Sequence, residues 1–264
     1  MPSYVVAGAS RGIGLQFVVD LLARGDVVVA LARNPDSSKQ LQEIKGNKNL
    51  FIVKADITDA VSLKAAAEET AKLTGGAIDV LINNAAFQDA AHSYHTLVDF
   101  PSPEALVSDL TTSFNTNVLG PILTTNAFLP LLKKGTLKKV ITLDTGLAVP
   151  DLTLASGYPK LTSYSISKSA LEMVNVKYAL ALKSEGFSFL AISPGVVNTR
   201  QAPPSPEELK EIMEMGGYFM QQYPNWTGPI SPAESVKMML DVIDKLTVEG
   251  SGKLVSHKGN RDFL

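Results

Sequence analysis

Tyr4-Val5-Val6-Ala7-Gly8-Ala9-Ser10-Arg11-Gly12-Ile13-Gly14 lies near the start of the chain, with Leu15 to Arg24 directly behind it. Tyr4 to Ala7 reads as a short apolar strand, the glycines as a tight turn, and Leu15 to Arg24 as a helix. Glycines let the backbone turn sharply and approach a ligand closely. The positive end of a helix dipole then faces whatever sits in the turn. That arrangement suits the pyrophosphate of a dinucleotide. A glycine triplet alone says little, since many turns are glycine-rich. Its place between a strand and a helix gives it weight.

The rest of the chain repeats the pattern. Val27 to Ala32, Leu50 to Ala55, Ile78 to Ile82, Lys139 to Leu143, Phe187 to Ile192 and Lys253 to Ser256 read as further strands. Helical stretches separate them at Val61 to Leu73, Pro103 to Leu132, Ser163 to Leu182 and Ala233 to Leu246. Near-continuous apolar strands alternating with helices predict a mostly parallel sheet covered on both faces, an α/β fold. In such a sheet ligands bind beyond the carboxyl ends of the strands. The glycine turn, Asp56, Asn83, Thr145 and Pro194 all follow strands, so one edge of the sheet gathers them.

Several of these residues suggest chemistry. After the second strand no carboxylate stands ready for a ribose hydroxyl. Arg33 is there instead, and Arg11 lies in the glycine turn; guanidinium matches a ribose 2′-phosphate. The alternative is two surface arginines. Asp56 would accept from an adenine amino group, while Asp59 would cap the next helix. Asn83-Asn84 after a buried strand need partners for their amides, from neighbouring strand ends, from a ligand, or from both. Asn117 sits inside the expected helix Pro103 to Leu132, where asparagine is a poor choice. It signals a specific bonding role or a local bulge. In the Ser163 to Leu182 run, Ser163 is a candidate N-cap, and Tyr164 and Lys168 are four apart on one face. An ammonium near a phenol favours phenolate and so lowers a tyrosine pKa toward neutrality. On its own, a tyrosine and a lysine at this spacing fit a solvated helix face equally well.

Gln201 to Pro232 is bounded by prolines and carries methionines and aromatics, among them Met213, Phe219, Met220 and Trp226. It reads either as a mobile lid over an apolar ligand, spanning 200–232, or as a surface helix packed on its own domain or on a partner. His92 and His95 fall in a loop with no carboxylate or thiol cluster beside them, so no metal site is expected. The 264 residues are 45% hydrophobic and 19% charged, with net charge −2 and no cysteine. That predicts one globular domain without disulfides or thiolate chemistry, no nucleic-acid binding and no anionic-membrane binding. With no signal peptide and no membrane-length apolar run, the expected compartment is the cytoplasm.

Taken together, these motifs resemble the short-chain dehydrogenase/reductase family from end to end. Gly8, Gly12 and Gly14 match its cofactor turn and Asp56 its adenine-contacting aspartate. Asn83-Asn84-Ala85-Ala86 is similar to its NNAG motif, with Ala86 replacing glycine. Asn117, Tyr164 and Lys168 match its catalytic asparagine and YxxxK, and Pro194, Gly195 and Thr199 its nicotinamide segment. The resemblance implies a Rossmann-type doubly wound sheet in three α/β/α layers and an NADP(H)-dependent carbonyl reductase-like activity. It implies catalytic Tyr164, Lys168, Thr145 and Asn117. Cofactor contacts would come from Gly8, Ser10, Arg11, Gly12, Ile13, Gly14, Arg33, Asp56, Ile57, Asn83, Ala85, Lys168, Pro194, Gly195, Val197 and Thr199. The substrate would be a ketone, aldehyde or alcohol, expected to be a medium to large hydrophobic one, and the assembly a homodimer or homotetramer.

One departure stands out: Asp144-Thr145 replaces the family's serine pair. Thr145 then takes the catalytic hydroxyl position, with Ser156 and Ser163 as fallback donors. An inward Asp144 would repel a developing oxyanion. That departure motivates one rival reading, a non-redox cyclase or isomerase (or an imine or alkene reductase) on the same fold; another, from a different class, is an NADP(H)-sensing regulatory protein with a relict site.

Overall fold

The strands form because their residues are apolar on both faces. In β1 (Ser3–Ala7), Tyr4 and Val6 enter one core and Val5 and Ala7 the other; β2 (Val27–Ala32) divides its residues the same way. The computed structural model describes all 264 residues. Between these strands runs α1 (Gly12–Ala23), and after them come α2 (Lys39–Glu43), β3 (Leu50–Lys54), α3 (Ala60–Leu73) and β4 (Val80–Asn83). The second half comprises α4 (Pro103–Phe114), α5 (Gly120–Leu132), β5 (Lys139–Leu143), α6 (Pro150–Ser156), α7 (Thr162–Ala181), β6 (Ser188–Ser193), α8 (Pro206–Gln222), α9 (Pro232–Lys245) and β7 (Lys253–Ser256).

All seven strands are parallel, in the order β3-β2-β1-β4-β5-β6-β7. The chain winds outward from β1 in one direction, then returns to β4 and winds in the other. The crevice between β1 and β4 is the switch point where such sheets bind ligands. The α1 and α9 side chains cover one face of the sheet, with Phe17, Val18, Leu21, Met239 and Ile243 in the core. Residues of α3, α5 and α7 cover the other, among them Leu63, Phe128 and Ala179. Phe17 is fully buried, a transfer term of about 1.5–3 kcal/mol. Cutting it to alanine would cost about 3–5 kcal/mol once the cavity is counted.

Helix starts follow local chemistry. Asp59 caps α3 by accepting from the Val61 amide at 2.9 Å, as expected. Ser205 and Ser231 close capping boxes with Glu208 and Glu234 at the starts of α8 and α9, each followed by proline at the first helical position.

Two expectations fail. Ser163 is not the N-cap of α7; the helix starts after Leu161, held in the left-handed region at φ 59°. Nor is Pro103 to Leu132 one regular helix. A π-helical turn, Asn115–Leu119, splits it, and Asn117 lies in that turn, so the bulge reading is correct. The short helices α2 and α6 have no counterpart in the sequence reading.

Candidate active site

The glycine turn, the ends of β2 and β3, and the segment after β4 surround a cleft of about 1170 Å³. Gly8, Ser10, Arg11, Gly12, Ile13, Arg33, Asp56, Ile57, Ala85 and Thr199 all line it. Gly8 has φ +80°, and a Cβ there would lie 2.7 Å from Cα of Ala85. A Cβ on Gly14 would lie 2.2 Å from the Gly8 carbonyl oxygen and 2.4 Å from Asn84 Nδ2. Both glycines are therefore demanded by packing: the turn folds back on the β4 segment, where Asn84 Nδ2 donates to the Gly8 carbonyl at 2.9 Å. Arg11 precedes α1 and makes no capping bond with its side chain, so the first turn of that helix faces the cleft uncapped. Arg11 and Arg33 are exposed and form no ion pair. Asp56 Oδ1 accepts from the Thr58 amide and hydroxyl at 2.9 and 2.7 Å, which holds its carboxyl below the ordinary range; Arg33 adds to this. The cleft thus offers a positive helix end, two free guanidiniums and one carboxylate, a donor set that fits a phosphorylated dinucleotide.

Asn117 is fully buried. Its Oδ1 accepts from the Phe87 amide at 2.7 Å, and its Nδ2 donates to the Phe87 carbonyl at 2.8 Å and to Ser167 Oγ at 2.9 Å. Ser167 Oγ in turn donates to the Tyr164 carbonyl at 2.7 Å. The π turn thus aims one side chain that ties the loop after β4 to the first turn of α7. The Tyr164 hydroxyl has no hydrogen-bond partner in the protein. Lys168 is buried, and its Nζ donates to the Leu143 carbonyl at 2.6 Å while lying 5.8 Å from the Tyr164 ring centre. The expected lowering of the Tyr164 pKa is not met in this arrangement. Burial pushes the phenol up, and the Asp144 carboxylate pushes it the same way. Burial also lowers the Lys168 ammonium, against the pull of Asp144.

Asp144 is 2% exposed. Its Oδ1 accepts from the Thr145 amide at 2.8 Å, and its Oδ2 is buried without a partner. Burial raises this carboxyl to about 7, opposed by Lys168 and the Thr145 amide and helped by Glu172. It lines neither the large cleft nor the small pocket beside Thr145. The Thr145 hydroxyl accepts from the Leu147 amide at 3.3 Å as it caps a 3₁₀ turn, Gly146–Ala148. Its own proton remains available to donate.

The short chain dehydrogenase family model matches residues 3–210. The chain belongs to the short-chain dehydrogenase family. The short-chain dehydrogenase/reductase atnB of an Arthrinium species is 39% identical over the full length of both chains. The short chain dehydrogenase virK of Hypocrea virens is 38% identical, again over both full lengths. Among solved structures, an NADPH-bound carbonyl reductase from chicken fatty liver has a TM-score of 0.79 at 28% identity, covering 98% of each chain. The protein is thus an oxidoreductase of this family by descent, and its seven-stranded parallel sheet is the family's Rossmann-type fold.

Within that family fold, not every expected cofactor residue reaches the cleft. Asn83 is 4% exposed and donates to Thr125 Oγ1 at 3.1 Å; its neighbour Asn84 lines the cleft instead. Gly14 packs inside the turn. Pro194 and Val197 lie outside the cleft, and Gly195 lines the smaller pocket with Thr145. Of the fallback hydroxyls, Ser156 also lines that pocket but donates to the Thr153 carbonyl at 2.9 Å. Ser163 opens on the other side of α7. His92 stacks on Phe100 and His95 packs against it at a tilt, with His92 Nδ1 2.7 Å from Asp89. No helix is long and apolar enough to cross a membrane. Asn84, singled out in the sequence with Asn83, both lines the cleft and bonds the Gly8 carbonyl, while Asn115 and Thr116 at the cleft and Ser167 behind Asn117 were missed. The polar run Asn115-Thr116-Asn117, set directly before the apolar Val118-Leu119, was the available signal.

Proposed function

We propose that the protein is an NADPH-dependent carbonyl reductase acting on ketones or aldehydes, or on the corresponding alcohols in reverse. One observation carries this reading. A cleft edged by unpaired Arg11 and Arg33, with no carboxylate at the end of β2, extends to Phe87, whose backbone Asn117 links through Ser167 to Tyr164. The bound dinucleotide supplies the hydride that reduces the carbonyl carbon. Arg11 and Arg33 bind its 2′-phosphate, and Gly8 and Gly12 let the backbone approach its pyrophosphate. The Thr145 hydroxyl donates to the substrate oxygen. Tyr164 passes its proton to that oxygen as the C=O bond becomes C–OH, a contribution of about 10²- to 10⁴-fold. A phenol with no bond inside the protein is free to point at substrate. Lys168, the nearest cation, offsets the negative charge left on the ring. Asn117 positions both through Ser167 and the Phe87 backbone.

The non-redox reading needs an extra acid at the substrate, and Asp144 lines neither cavity. The proposal includes 200–232 as a lid. Phe219, Met215, Tyr218 and Trp226 pack toward Tyr158 and Leu161, and Lys160 bridges Glu211 and Glu214 at 2.6 and 2.9 Å. It also includes cytoplasmic residence and homo-oligomers that bury the exposed Val107, Phe114, Ile166 and Met173 of α4 and α7. The test is Tyr164→Phe. NADPH oxidation with a turned-over ketone should fall by at least 100-fold while NADPH binding stays within a few-fold. Retention of the wild-type rate would remove Tyr164 from the chemistry.

A further inference from the structure

Thr145, Gly146, Gly195 and Ser193 border a small pocket that shares no lining residue with the dinucleotide cleft. Its volume is about 70 Å³. At roughly 30 Å³ of liquid per water this is space for about two water molecules, far below the roughly 300 Å³ at which ligand pockets usually begin. Leu147, Leu152, Met215, Phe219 and Tyr223 form part of its wall, and Phe263 and Leu264 close the rest. Phe263 is 3% exposed and packs with Val149, Leu152 and Leu254. Leu264 packs beside Tyr158 and Phe219, under α8. Phe263 lies directly on the residue after Thr145: a Cβ added to Gly146 would sit 2.8 Å from its Cβ. The segment that brings it there is built. Asn260 Oδ1 accepts from Ser256 Oγ and from the Asp262 amide, both at 2.9 Å, and the Ser256 amide donates to the Asn260 carbonyl at 2.7 Å. Lys258 Nζ reaches Asp262 at 3.0 Å and also bonds the Leu264 backbone oxygen.

We infer that Phe263 and Leu264 are specificity-determining residues that leave space beside Thr145 for only one compact, methyl- to ethyl-sized substituent on the substrate carbonyl carbon. The inference rests on the carbonyl-reductase reading and names its substrate class: aldehydes, and ketones with one small arm. The larger apolar body of the substrate is carried on the other arm. A ketone with two bulky arms clashes with the Phe263 ring.

The experiment compares acetophenone, with one methyl arm, and benzophenone, with two phenyl arms. Steady-state NADPH oxidation is measured for wild type, Phe263→Ala, Phe263→Leu and Leu264→Ala, with far-UV circular dichroism to confirm folding. The expected result is that wild type strongly prefers acetophenone. The ratio of kcat/KM for benzophenone over acetophenone should rise at least tenfold in Phe263→Ala and less in Phe263→Leu. If Phe263→Ala does not fold, Phe263→Leu and Leu264→Ala carry the same comparison. An unchanged ratio, or an equal fall for both ketones, overturns the inference while leaving the reductase reading intact. If wild type reduces neither ketone, the reductase reading fails for this pair. Calorimetric binding of benzophenone to the NADP⁺-loaded proteins then decides: tenfold tighter binding in Phe263→Ala supports the wall, and equal binding overturns it.

Discussion

Replacing Asp144 by asparagine tests how the buried carboxyl is held. Burial lifts it from 3.8 to about 7, a difference of about 3 pH units, or about 4 kcal/mol at 1.36 kcal/mol per unit. The sign follows from proton uptake. Between pH 3.8 and about 7 the folded protein keeps a proton that the unfolded chain has lost, so stability falls as pH rises. The contribution is fully present below pH 3.8 and gone above about 7. From pH 5 to pH 8 the wild type should therefore lose about 3 kcal/mol that the asparagine variant keeps. For a chain of this size that is roughly 5–10 °C in Tm. Asparagine leaves its amide nitrogen without an acceptor, a constant cost of about 1–3 kcal/mol that does not vary with pH. Lys168 reinforces the sign: without Asp144 its ammonium titrates lower, so the variant gains stability as pH rises. The assay is thermal unfolding of both proteins at pH 5, 6, 7 and 8, read as the difference between their slopes. Parallel slopes would refute the account and mean that Asp144 is ionised and paired in the fold throughout.

Other residues give sharper single readouts. Arg33→Ala should weaken NADPH binding roughly 10- to 150-fold, the loss of one charge-assisted bond of about 1.5–3 kcal/mol, with NADH binding nearly unchanged; nicotinamide fluorescence titration measures both. Gly14→Ala forces a Cβ to within 2.2 Å of the Gly8 oxygen, so it should lower Tm and remove detectable NADPH binding in the same titration. Asn117→Ala strips the Phe87 amide and carbonyl of their partners, which should cost roughly 2–5 kcal/mol by urea unfolding and lower kcat through misplacement of α7.

What the sequence made legible is what short-range physics controls. The strands are buried on both faces, so each reads as an apolar run, and their boundaries match the structure within a residue or two. The glycine turn is legible because glycines mark a tight strand-to-helix turn, and the packing of that turn on Ala85 and Asn84 leaves no room for a side chain at Gly8 or Gly14. Tyr164 and Lys168 share a helix face by spacing alone. Their electrostatics do not follow from spacing, because burial dominates both groups, the Asp144 carboxylate pushes both up, and the Lys168 ammonium turns to the Leu143 carbonyl on β5. Ser163 fails as a cap for a similar reason: Leu161, bonded through its amide to the Ser93 carbonyl of a distant loop, sets where α7 begins. Asn117 announced a bulge by being the wrong residue for a helix, yet its partners, Phe87 and Ser167, lie 30 and 50 positions away. Phe263 gave no local signal at all. An aromatic residue near a chain end is ordinary in sequence, and only the fold sets it against Gly146. The walls of the pocket beside Thr145 come from segments far apart in sequence, so the family's chemistry is written in local motifs while the shape of that pocket is written in contacts no window of sequence contains.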